Sequence, residues 1–111
     1  MKKIKVYIAG PVSMIQDYNR PAFEKAKSEL IALGYDAISP SDVADELDKG
    51  EHVAHKWIDY MRECIKRLVD CDRIYLLDNW HASRGAKIEW NLARDLGIEP
   101  LYLEGDYEKF R

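Results

Sequence analysis

The chain has 111 residues, 47% of them hydrophobic and 33% charged, with a net charge of −3 at pH 7. That length suits one domain, residues 1–111, with one core, and the negative balance lacks the basic footprint of a protein that binds polymeric nucleic acid. No segment reaches the roughly 18 consecutive apolar residues of a membrane span and the N-terminal apolar run is too short for a signal peptide, so no membrane partner and a cytoplasmic location are expected.

Lys3 to Ala9 reads as a first strand that grows more continuously apolar through Val6, Tyr7, Ile8 and Ala9, and Gly10-Pro11 stops it. In an open parallel sheet the crevice beyond the carboxyl ends of the strands takes ligands, so Tyr7, Gly10, Pro11, Val12 and Ser13 are placed to line a site; a plain turn is the other reading of Gly10-Pro11. Asn19 or Arg20 opens a helix with Pro21 in its first turn, and Phe23, Ala26, Leu30 and Leu33 recur at helical spacing before Gly34. Tyr35 to Ser39 reads as a second strand. Pro40-Ser41-Asp42 follows it on the site side, with Ser41 able to cap a helical turn through Val43, Ala44 and Leu47.

Residues 48–52 form a polar break, and a longer helix then carries a stripe of Val53, Trp57, Met61, Ile65, Leu68 and Val69. His52 and His55 have no cysteine or carboxylate pattern to complete a metal site, and Cys64 and Cys71 have no metal or redox spacing. Buried thiols and no metal are expected.

The unbroken apolar run Ile74 to Leu77 suits a strand buried on both faces. Asp78-Asn79 ends it, and Ser83 stands at the N-cap of a helix lasting to Gly97. Stepping along that helix by about 100° per residue puts Ala86, Leu92, Ala93 and Leu96 on one arc and Arg84, Lys87, Asn91, Arg94 and Asp95 on the other. Glu89 falls in the middle of the apolar arc. A carboxyl group there has to be paired, protonated or open to a cavity; it is a structural glutamate bonded to a buried tyrosine, a sign that the helix face is only partly covered, or the centre of a site. Glu99 to Leu103 forms a fourth strand in which Pro100 marks a strand start or an edge, and Trp80, Tyr107 and Phe110 offer exposed aromatic surface for self-association as a homo-oligomer.

The alternation of strands and helices predicts a three-layer α/β/α sandwich, flavodoxin-like or Rossmann-like, with a small parallel sheet in the order 2-1-3-4. That order sets the ends of the first and third strands side by side and brings the segments Tyr7–Ser13 and Asp78–Glu89 into one crevice.

Three segments, Tyr-Ile-Ala-Gly-Pro at 7–11, Cys-Asp-Arg-Ile-Tyr-Leu-Leu at 71–77 and Ser83-x-Gly85-x-x-x-Glu89 with Ala93, resemble the nucleoside 2-deoxyribosyltransferase superfamily, including its deoxynucleoside monophosphate glycosidase branch and related small domains of unknown function. The resemblance implies cleavage or exchange of the N-glycosidic bond of a deoxynucleoside or its 5′-monophosphate. Glu89 would act at the anomeric carbon, Tyr7 would orient Glu89 by a hydrogen bond, and Asp72 would serve the leaving base. Strand geometry favours Asp78 over Asp72 for that last role, because Asp72 precedes its strand and the crevice lies beyond the far end. Ser83 and the backbone N–H groups of Arg84 and Gly85 suit a phosphate or sugar hydroxyl. The expected partner is a small nucleoside or nucleotide, and no cofactor is required. Lys87, where the glycosidase branch has a second glycine, keeps open a nucleotide-binding or sensor module without turnover.

Overall fold

A computed structural model describes residues 2–12, 16–48 and 56–103. The chain runs β1 (Lys5–Ala9), a 3-10 turn (Gln16–Asn19), α1 (Arg20–Ala32), β2 (Asp36–Ile38), α2 (Pro40–Asp48), α3 (Trp57–Leu68), β3 (Arg73–Leu76), a 3-10 turn (Trp80–Ala82), α4 (Arg84–Asp95) and β4 (Glu99–Pro100). The four strands are parallel in the order β2-β1-β3-β4, as the sequence predicts, and Tyr7 of β1 lies between Ile38 of β2 and Ile74 of β3.

Alternation along the strands divides the core. Val6 and Ile8 of β1, with Ala37, Tyr75 and Leu77, pack against Phe23, Ala26 and Leu30 of α1. Tyr7 and Ala9, with Ile74 and Leu76, face the opposite way onto Val43 of α2, Cys64 and Leu68 of α3, and Ala86 and Ala93 of α4. The sheet is thus the middle layer of an α/β sandwich. Among the described residues no helix is long and apolar enough to cross a membrane.

Helix ends account for most departures from the sequence expectations. Leu33 and Leu96 lie on the arcs expected to be buried, yet they are 61% and 54% exposed. Both α1 and α4 close with a glycine at positive φ, Gly34 at 96° and Gly97 at 76°. The next residue's N–H then reaches back into the last turn, Tyr35 to the Leu30 carbonyl at 3.0 Å and Ile98 to the Ala93 carbonyl at 2.8 Å. In this Schellman geometry the residue after the glycine packs on the last buried residue of the helix, so Tyr35 and Ile98 take the core positions and the two leucines turn outward.

At the start of α2 the cap is Ser39, not Ser41: the Asp42 N–H donates to Ser39 Oγ at 3.3 Å, and the Ser39 N–H donates to Asp42 Oδ2 at 3.1 Å. This reciprocal capping box also holds Lys27 of α1, whose Nζ lies 2.9 Å from Asp42 Oδ2. On α3 the inward residues are Cys64 and Leu68, while Trp57 and Val69 are exposed; Val69 is the helix cap, and Val53 lies outside the described residues. β4 is shorter than expected. Pro100 has no N–H to extend a ladder, and after Leu101 donates to the Ile74 carbonyl at 2.8 Å, Leu101 and Leu103 pack on the α1 side of the sheet.

Trp80 is a correction of another kind. Expected as exposed surface for association, it is buried, folded back by its 3-10 turn onto the core and set edge-on to Trp90 at 6.3 Å between ring centroids. Tyr107 and Phe110, the other two residues read that way, and His52 and His55 lie outside the described residues.

Candidate functional site

The parallel order places the carboxyl ends of β1 and β3 together, and the contact there is close. Leu77 N–H donates to the Ala9 carbonyl at 2.9 Å. A Cβ on Gly10 would stand 2.8 Å from both Cβ and Cδ1 of Leu77, so only glycine lets the chain leave β1 along this path. Pro11 is buried, its carbonyl held by Asn19 Nδ2 at 2.8 Å, and Val12 is half-buried against the α1-side core. Ser13 lies outside the described residues. Beyond β3, Asp78 is exposed and Asn79 takes the left-handed conformation at φ 64°, which turns the chain toward α4.

Ser83 caps α4 by accepting the Ala86 N–H on its Oγ at 3.1 Å. Gly85, in the first turn, faces α3: a Cβ there would lie 3.0 Å from Met61 Sδ and 3.8 Å from Trp57 Cζ2. Next to it the Arg84 guanidinium lies over the Trp57 ring, 4.7 Å from the centroid. The amino ends of α3 and α4 therefore meet.

One helical turn below Gly85, on the same face, stands Glu89, only 3% exposed. The Tyr7 hydroxyl donates to Glu89 Oε2 in a buried hydrogen bond. Burial pushes the Glu89 carboxyl up to about 8, and the Tyr7 hydrogen bond works against that rise. Burial first, and then the negative charge of Glu89, drive the Tyr7 hydroxyl well above its ordinary value. Tyr7 therefore remains a neutral donor, and Glu89 keeps its proton until the pH approaches about 8. Among the described residues no buried side-chain nitrogen or oxygen lacks a hydrogen-bond partner.

A third titratable group that the sequence reading did not place here, Cys64 of α3, shares a buried cluster with Tyr7, and burial pushes its thiol up to about 12. Cysteine in a helical stripe reads as a small hydrophobe, and the only signal was that Cys64 falls one heptad after Trp57 and a three-residue step after Met61.

Asp72 is not beside this group. It precedes β3, and its carboxylate accepts the Lys5 backbone N–H at 2.9 Å, tying the amino ends of β1 and β3 together at an exposed position. The strand direction carries it to the opposite end of the sheet from Gly10 and Asp78, as its position before β3 leads one to expect. Among the described residues no three His, Cys, Asp or Glu side chains converge to hold a metal ion.

Comparison with curated proteins finds no match. The chain does match, over residues 4–102, the family described as Domain of unknown function (DUF4406), and it belongs to that family.

Proposed function

We propose that this domain cleaves or exchanges the N-glycosidic bond of a deoxynucleoside or its 5′-monophosphate, the chemistry of the nucleoside 2-deoxyribosyltransferase superfamily that its sequence resembles. The observation that carries the reading is Glu89, a carboxyl group on the core face of α4, bonded to Tyr7 and poised to ionise near pH 8.

Breaking the bond between C1′ and the base nitrogen develops positive charge on the sugar. A carboxylate in a dry site supplies opposite charge there far more effectively than in water. In the ionised form Glu89 meets C1′, the bonding electron pair leaves with the base, which takes up a proton, and water or a second base then attacks C1′ and restores the carboxylate. Tyr7 keeps the carboxylate oriented throughout. The crevice formed by Gly10, Pro11, Asp78 and the amino end of α4 would hold the rest of the substrate, with the α4 N–H groups suited to a phosphate or sugar hydroxyl. The flexible Met61 side chain, filling the space beside Gly85, is the element that yields when a sugar approaches Glu89. The reaction calls for no metal or organic cofactor, and two buried free thiols suit a reducing cytoplasm.

The experiment is a chromatographic screen of deoxynucleosides, their 5′-monophosphates and NAD for released base. Release from a deoxy substrate, abolished in Glu89→Gln, supports the proposal; release at the same rate in that variant refutes it. The closure of Glu89 from solvent favours a second reading, a nucleotide-binding module without turnover. Calorimetric binding of a monophosphate with no base release would select it.

A further inference from the structure

We propose that the domain pairs with a second copy of itself through the open edge of its sheet, the two β2 strands running antiparallel with Ala37 of one copy bonded to Ala37 of the other.

The sheet has two edges, β2 and β4, and the parallel register makes them unlike. In a parallel ladder alternate residues of an edge strand turn their N–H and C=O inward, and the residue between them turns both groups out. On β2 the inward residues are Ile38 and Asp36, whose N–H donates to the Ile4 carbonyl at 3.0 Å, so the Ala37 N–H and C=O point away from β1. Among the described residues nothing bonds to either group. On β4 the inward residues are Glu99 and Leu101, whose N–H donates to the Ile74 carbonyl at 2.8 Å, and the outward one is Pro100. Proline has no N–H to offer an incoming strand, a common way of closing an edge. Ala37 imposes no such block on β2.

The Ala37 backbone lines an open cleft of about 460 Å³. Around it stand three cations, Lys5, Lys27 and Arg67, and three carboxylates, Asp36, Asp42 and Asp70. Lys27 and Asp42 pair with each other at 2.9 Å. The patch is neutral although the whole chain carries −3, so two copies meet here without net repulsion and each brings both signs of charge to the other.

An antiparallel pair centred on Ala37 uses this edge completely. The two alanines exchange both N–H···O=C bonds, as a hydrogen-bonded antiparallel pair does, and the two-fold axis between them makes the interface self-complementary. The alanine methyl is turned into the α1-side core and the residue is only 7% exposed, so no bulky side chain holds the backbones apart. The joined sheet ends in β4 on both sides. Pro100 stops further strand addition there, and association closes at a dimer instead of running on as a fibre.

The test is sedimentation velocity with light scattering on the full-length protein at low ionic strength, where surface charge is least screened. A doubled mass should develop as concentration rises. Hydrogen exchange read by NMR should find the Ala37 amide fast in dilute protein and slowed roughly tenfold or more in concentrated protein, as its N–H gains a partner. Ala37→Pro removes the outward N–H and no bond to β1, and should be a folded monomer. Asp36→Lys and Lys5→Glu, neither of which removes an ion pair among the described residues, give the patch one net sign. Each should be monomeric alone, and an equal mixture of the two should recover the dimer; they decide the matter even where Ala37→Pro fails to fold. A chain that stays monomeric at every concentration, a dimer whose Ala37 exchange ignores concentration, or charge variants that dimerise as well alone as mixed overturns the proposal. No substrate enters these measurements, so their outcome is independent of the proposed N-glycosidic activity.

Discussion

Tyr7 and Glu89 lie 82 residues apart in the sequence and share one buried hydrogen bond, from the middle of β1 to the second turn of α4. Glu89 thereby reports on the fold. The group titrates at an ordinary 4.5 when exposed and at about 8 in the folded protein. Between those values the unfolded chain has released the proton and the folded chain keeps it, so this residue's contribution makes stability fall as pH rises through the window and level off above it. Glu89→Gln, with no proton to lose, should remove that slope. Urea unfolding at pH 5, 7 and 8.5 should find the variant increasingly more stable than the unaltered protein, by something on the order of a few kcal/mol at the highest pH. Parallel curves would mean that the carboxyl group is not buried in solution. Under the proposed function the same titration should give kcat/KM for base release a rising limb, close to tenfold per pH unit below about 8 and flat above it.

Tyr7→Phe removes the hydroxyl that bonds Glu89 and leaves the ring in place. Since that bond lowers the carboxyl's proton affinity, its loss should move the rising limb of the pH profile to higher pH. Stability should drop more at pH 9 than at pH 6, because only the ionised carboxylate is left buried without its donor. Thermal unfolding at the two pH values checks this, and an equal loss at both would show that Tyr7 serves packing alone.

Asp72 leads to the opposite expectation. Its carboxylate ties Lys5 at the amino end of the sheet, so Asp72→Ala should cost about 0.5–1.5 kcal/mol, the net worth of one hydrogen bond, and leave the rate of base release unchanged. Asp72→Asn, which keeps an acceptor, should cost less. A large loss of activity in a stable Asp72→Asn variant would restore to this residue the role that its position argues against.

The residues that were legible from the sequence are those whose environment is repeated along the chain. The continuous apolar runs at Val6–Ala9 and Ile74–Leu77 marked buried parallel strands, and chain order with right-handed crossovers then led to the observed strand order. Glu89 stood out because Ala86 and Ala93 define its face. Residues whose environment depends on a single turn were not legible. Trp80 sits on a 3-10 turn of three residues, too short for any periodicity to say which way the indole points. Ser39 and Ser41 flank Pro40 and look alike as caps until the hydrogen bonds of Asp42 choose between them. Cys64 could not be read as a core neighbour of Tyr7, because that placement comes from packing α3 against the sheet, a relationship that no local pattern encodes.

Gly10 and Gly85 offer a contrast that separates the crevice's shape from its contents. An added methyl at Gly10 meets Leu77 Cβ and Cδ1 at 2.8 Å, at the junction of β1 and β3, where the Ala9 to Leu77 backbone bond limits any shift. Gly10→Ala should therefore destabilise the protein by about 1–3 kcal/mol, as overpacking of a tight junction does. At Gly85 the obstacle is Met61 Sδ at 3.0 Å, within a side chain that can change rotamer. Alanine also favours the helix by up to about 1 kcal/mol over glycine, so the two terms roughly cancel and stability should change little. If the proposed function holds and a sugar reaches Glu89 through the space beside Met61, Gly85→Ala narrows that route, and KM for the best substrate should rise several-fold while the pH midpoint stays fixed. Denaturation midpoints and steady-state kinetics on the two variants check both halves. If Gly85→Ala left KM untouched at unchanged stability, the route past Met61 would be the wrong one.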